Sequence, residues 1–153
     1  MEEEKMNETY GINEVALMSG YTPRTLRNYL NQGLLKGEKD TKGVWRFTIR
    51  NLEEFFAEPF VKEGLRIKHA ATVLDFLSER RKSTERTCVV LDVLADLKKG
   101  NAISSFFCQK MEEVNDVTFQ YNWDDGMSRI VLSGDSKAIA TIMEAYHKTD
   151  FND

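Results

Sequence analysis

Within five positions the chain places Arg24, Thr25, Arg27 and Asn28, a set of long cationic and short hydrogen-bonding side chains. Arginine forks onto a guanine edge or a phosphate, asparagine pairs with an adenine edge, and threonine reaches either. Such a set reads duplex DNA when a single helix carries it near its N-terminus. Helical spacing puts Arg24, Arg27, Asn28 and Asn31 on one face and Leu26, Tyr29 and Leu30 on the other. Thr22 is the expected N-cap, itself close to the bound strand, and Pro23 fits the first turn, where a missing N–H costs nothing. Gly33 is the expected helix stop. Lys39 and Lys42 stand in the turn-rich stretch 37–43, between extended segments near 35–36 and 44–47. That pattern predicts a hairpin with a basic tip, placed to touch phosphates. Arg46 extends the contact, and Trp45 or Phe47 anchors the hairpin to a core.

The charge distribution agrees with this placement. The whole chain carries a formal charge of −4, which is unfavourable for binding a polyanion. Residues 20–50, however, hold seven Lys/Arg against two acidic residues, net +5. Residues 83–153 hold seven against twelve, net −5. Local potential, not the global balance, attracts phosphate, so an interface is expected early in the chain.

Other chemistry is poorly supported. His69 and His147 lie in different segments and are expected to be exposed or locally hydrogen-bonded. Cys88 and Cys108 sit apart in apolar stretches, without the clustered spacing of a metal site, and are expected as buried free thiols. No Ser-His-Asp order, phosphate-binding glycine loop or paired catalytic carboxylates are found, since Asp124 and Asp125 occupy a turn. No catalytic residue, cofactor or metal is therefore expected. The acidic start lacks a signal-peptide core, and no apolar run is long enough to span a bilayer; a cytoplasmic protein is expected.

The elements that must hold these residues are legible as periodicities. Residues 1–8 read as a disordered tail and 9–60 as a winged helix-turn-helix domain. Its first helix is capped by Asn13, and a third helix, capped by Thr48, is kinked or interrupted at Pro59. Residues 61–82 read as a helical linker with a stripe of Ile67, Ala70, Ala71, Leu74 and Leu77, packed on its own domain or on a second copy. Residues 83–153 read as a small βαββα domain for dimerisation or sensing. In it Val117, Phe119, Tyr121 and Trp123 share one strand face, as core or, less readily, as a wall for a flat ligand. The expected fold class is α+β.

The order of residues from Gly11 through Gly33-Leu34-Leu35, with Gly43, Arg46 and Phe47 beyond, resembles the MerR family of winged-helix regulators. The shared features are Ile-x-Glu-Val-Ala in the first helix, Ser-Gly before the turn, Thr-Leu-Arg in the second helix and Gly-Leu-Leu after it. Where family members usually carry two aromatics after Leu-Arg, this chain has Asn28 and Tyr29. Its wing, Val-Trp-Arg-Phe, is nearer to excisionase-type domains. The resemblance implies a sequence-specific binder of double-stranded DNA that regulates transcription; the stripe on 67–77 favours a homodimer, the unassigned C-terminal domain leaves room for a small-molecule or protein effector, and no membrane partner is expected. The alternative is an excisionase-like recombination or architectural accessory protein whose C-terminal domain docks a protein.

Overall fold

In the computed structural model, which describes residues 9–79 and 83–151, the fold is α+β. The expected tail, 1–8, and the end of the expected linker, 80–82, lie outside the described residues. Strand β1 (Thr9–Tyr10) leads into helix α1 (Ile12–Ser19). The cap of α1 is Gly11 and not Asn13, because Glu14 reaches back to accept the Gly11 N–H at 3.1 Å and closes the first turn there. Gly20, at φ +75°, ends α1 in the left-handed conformation that favours glycine. Helix α2 (Pro23–Gln32) follows, then the hairpin of β2 (Glu38–Lys39) and β3 (Trp45–Thr48). The first arm of the hairpin is at 38–39 and not at 35–36. Leu35 is buried and its N–H donates to the Tyr29 carbonyl at 3.2 Å, which ties it to the end of α2. The three short strands form an antiparallel sheet in the order β1-β3-β2.

Thr48 caps helix α3 (Ile49–Ala57), accepting the Asn51 N–H at 3.1 Å. Of the two outcomes expected at Pro59, interruption is the one observed, since α3 stops at Ala57. Glu58 is extended, and Pro59 opens a new helix, α4 (Pro59–Ser78), at the position where proline is tolerated. The second half is β4 (Arg86–Leu94), α5 (Leu97–Glu113), β5 (Val117–Asp124), β6 (Met127–Asp135) and α6 (Ser136–Lys148). Its antiparallel sheet runs β4-β6-β5, so β6 is central. Asp125 and Gly126, at φ 47° and 79°, make the tight turn between β5 and β6.

Register aligns Val89, Leu132 and Phe119, and next to them Leu91, Ile130 and Tyr121, on the face that packs against α5 and α6. Phe119 and Tyr121 are buried there, and Phe107 stacks on Phe119 at 5.7 Å. The aromatic row of β5 is therefore core, which removes the reading of it as an open ligand wall. Its polar tips are satisfied inside: Tyr121 Oη lies 2.8 Å from Ser128 Oγ, and Trp123 Nε1 donates to the Ala95 carbonyl at 2.9 Å.

Buried residues from both halves belong to one continuous core. Helix α1 packs on the edge strand β5, and α4 crosses the opposite face of the sheet. There Lys62 pairs with Asp124 at 3.0 Å, and Thr72 Oγ1 donates to Gln120 Oε1 at 2.9 Å. The side of α4 turned inward carries Val61, Leu65 and His69. The expected stripe points the other way: Ile67, Leu74 and Leu77, with Phe60, are 57 to 68 % exposed, and Ala70 and Ala71 are exposed beside them. Packing of the stripe on its own domain is thereby excluded.

His69 is buried, contrary to the expectation from sequence, and its Nε2 finds no partner among the described residues. It sits over a row in which Asp92, Arg129 and Asn122 lie side by side across the sheet. Asp92 and Arg129 form a two-pronged ion pair at 2.7 and 2.8 Å. Burial, with the Arg129 charge adding to it, pushes the His69 imidazole down to about 4, and Asp92 opposes the shift.

Candidate nucleic-acid interface

Helix α2 is fixed at both ends by its own sequence. Thr22 Oγ1 accepts the Thr25 N–H at 3.1 Å and its hydroxyl meets that of Thr25 at 3.0 Å. At the other end Gly33, at φ +77°, lets its N–H reach the Leu30 carbonyl at 3.1 Å. Leu26 is buried without residual exposure, and Tyr29 is held among Tyr21, Phe55 and Phe60 at ring separations of 5.5 to 6.4 Å. Locked on this side, α2 turns Arg24, Arg27, Asn28 and Asn31 to solvent, while Thr25 is half-buried. Among the described residues, no hydrogen bond or ion pair engages the side chains of Arg24, Arg27 or Asn28. A face of extended donors on a rigid helix suits recognition, because little ordering remains to be done on binding.

The wing is equally well determined. Asp40 accepts the N–H groups of Lys42 and Val44 at 2.8 and 3.0 Å, and Gly43, at φ +77°, completes the turn. Lys42 stands exposed on this tip. Lys39 is exposed but leans over the Trp45 ring, its Nζ 5.3 Å from the centroid. Phe47 is fully buried and anchors the hairpin, with Trp45 stacked on it at 6.4 Å. No space is left for more than Gly37 at the base of the wing, since a Cβ there would stand 2.6 Å from the Phe47 ring.

Arg46 differs from the other candidates. Its Nε donates to Thr9 Oγ1 at 2.8 Å and its Nη2 to the Thr9 carbonyl at 2.9 Å, so the guanidinium clasps β1 to β3 and is half-buried. The structure thus groups Thr22, Arg24, Thr25, Arg27 and Asn28 on one helix and Lys39 and Lys42 on the wing, and gives Arg46 a bracing position. Replacing Arg46 by Ala removes charge-assisted bonds and is expected to destabilise the fold by about 1 to 3 kcal/mol, measured by urea unfolding. An unchanged midpoint would deny it that bracing role.

Arg50 was absent from the sequence-derived candidates. It is exposed in the first turn of α3, two residues beyond the cap Thr48, and it adds a cation to the same segment. The recognisable cap followed by an arginine was the available signal.

Among the described residues no group of three or more His, Cys, Asp or Glu side chains is placed to hold a metal, and both cysteines are free. Burial pushes the Cys108 thiol up to about 12, with Glu14 and Glu112 adding to the shift, which keeps it protonated and unreactive. No described helix is long and apolar enough to cross a membrane. No curated protein and no solved structure matches the chain. Residues 10–77 match the family model described as MerR HTH family regulatory protein, so this stretch of the chain is similar to the helix-turn-helix region of that family.

Proposed function

We propose that the protein is a sequence-specific regulator of transcription that binds double-stranded DNA as a homodimer. The observation that carries this reading is the exposed, unengaged row Arg24, Arg27 and Asn28 on a helix capped at both ends and locked by Leu26 and Tyr29. In this account α2 enters the major groove, Arg24 and Asn28 meet base edges, and Thr22, Thr25 and Arg27 meet base or phosphate oxygens. Lys42 and Lys39 sit on the flanking backbone. Arg46 acts mainly by holding the wing, and its remaining donors are free for one phosphate.

The dimer reading is supported by α4. Phe60, Ile67 and Leu74 recur every seven residues with Leu77 and small Ala70 between the turns, the repeat of a helix that lies along another helix. Val90 and Leu94, on the open outer face of edge strand β4, add exposed apolar surface to the same side of the sheet as α4. A monomer seldom leaves such a stripe in water. Two-fold pairing would present two α2 helices to two half-sites.

The test is selection of bound sequences from random duplexes with the wild type and with Asn28→Ala. Loss of a bidentate contact costs about 1 to 3 kcal/mol at one base position, so preference should relax at one position while non-specific affinity stays. Identical selected sites would show that Asn28 does not read bases and that α2 is oriented otherwise.

A further inference from the structure

A groove of about 830 Å³ runs along α5 in the C-terminal half. Lys98, Asn101, Ala102, Ser105 and Phe106 line it at the spacing of one helix face. At the start of α5 it is cationic, with Lys98 and Lys99 on the rim. The Asp96 carboxylate also borders it, but is bound to the Lys99 N–H at 2.8 Å as the helix cap. Further along, Phe106 and Phe151 meet edge to face at 5.5 Å, and Asp150 borders the groove next to Phe151. From Lys98 to Phe106 the helix rises about 12 Å. The size is that of a small-molecule site, in which an apolar lining and a few polar groups set orientation.

The same helix face touches the DNA-binding half. The Tyr10 hydroxyl is within hydrogen-bonding distance of Ser104 Oγ (2.8 Å) and Ser105 Oγ (3.1 Å), and also reaches the side-chain and main-chain oxygens of Asn101. Asn101 and Ser105 thus border the groove on one side and hold Tyr10 on the other. Tyr10 pairs with Phe47 in the sheet of the wing, and its neighbour Thr9 is the residue clasped by Arg46.

We propose that this groove binds an organic anion with a flat apolar body, its charge at Lys98 and Lys99 and its rings against Phe106 and Phe151, and that occupancy is passed to the wing through Asn101, Ser105 and Tyr10. Binding stands on the groove alone; its effect on DNA rests on the DNA-binding reading above.

The probe is 8-anilinonaphthalene-1-sulfonate, titrated by fluorescence into the full chain, the wild type beside Lys98→Glu and Ala102→Trp. Saturable binding to the wild type, weakened at least tenfold by both substitutions, is expected. Lys98 is exposed, so its variant tests the charge without risk to the fold. Equal binding by both variants, with loss on Leu74→Glu instead, would assign the probe to the α4 stripe and overturn the site; no binding at all would do the same. DNA affinity is then measured with and without saturating probe. A change of threefold or more in the wild type that disappears in Tyr10→Phe supports the relay, and an unchanged affinity in the wild type overturns it. If no DNA is bound under any condition, the functional reading has failed and the fluorescence result still decides the groove.

Discussion

Leu74→Glu will leave the protein folded, make it monomeric, and lower its affinity for a DNA carrying two half-sites by about 10²- to 10⁴-fold, the usual gain from joining two binding modules. The fold should survive because Leu74 is exposed and packs on nothing in its own core. The dimer should not, because the substitution puts a carboxylate in the middle of the row formed by Phe60, Ile67 and Leu77. Affinity for a single half-site should be almost unchanged, since α2 and the wing are untouched. Light scattering and fluorescence anisotropy on single and paired half-sites measure the three quantities. A wild type that is strictly monomeric at micromolar concentration would remove the dimeric mechanism and favour an accessory role in which one winged domain binds DNA alone.

Acid will destabilise the protein through His69. The folded-state value is about 4 against an ordinary 6.5, so between those limits the unfolded chain takes up the proton first. Stability due to a neutral His69 is therefore complete above about pH 6.5 and is lost as pH falls toward 4, by roughly 2 to 3 kcal/mol at pH 4.5. The groups facing it are Arg129 and Asp92 on the sheet. Asp92 is held below its usual range by the hydrogen bonds from Arg129, so it stays ionised through this window and does not reverse the sign. In His69→Leu the orphaned Nε2 is removed as well, and stability at pH 7 should rise by about 1 kcal/mol, within the range for an unmet buried polar atom. Urea unfolding at pH 7 and pH 4.5 compares the two proteins. Equal losses in both on acidification would show that His69 is not the titrating group.

Local chemistry was the part most legible in the sequence. Thr22 and Thr48 each precede a helix and supply an oxygen to its first turn, so the caps of α2 and α3 could be placed to the residue. Strict alternation in 117–123 fixed which side of β5 faces the helices, and the order of strands and helices in the second half followed from changes of period. Long-range packing was not legible. Helix α4 has apolar residues on two faces, 61 and 65 on one and 60, 67, 74 and 77 on the other, and only the position of the sheet decides which is buried. His69 became a core residue for the same reason. Arg46 looked like the other cations until β1 was found beside it, because a two-residue strand leaves no periodic signal. The contact of Tyr10 with α5 joins positions about ninety residues apart, beyond any local pattern.

The central claim is that a local positive surface on α2 and the wing binds duplex DNA despite a net charge of −4. The most direct measurement is the dissociation constant of the full chain for a selected duplex across salt concentrations from 50 to 200 mM. With roughly 3 to 5 phosphates neutralised per protomer, a dimer should lose about 10³- to 10⁵-fold in affinity over that range, and Lys42→Ala should reduce the slope by about 0.9 for each contact removed. An affinity independent of salt, or no binding at 50 mM, would contradict the account.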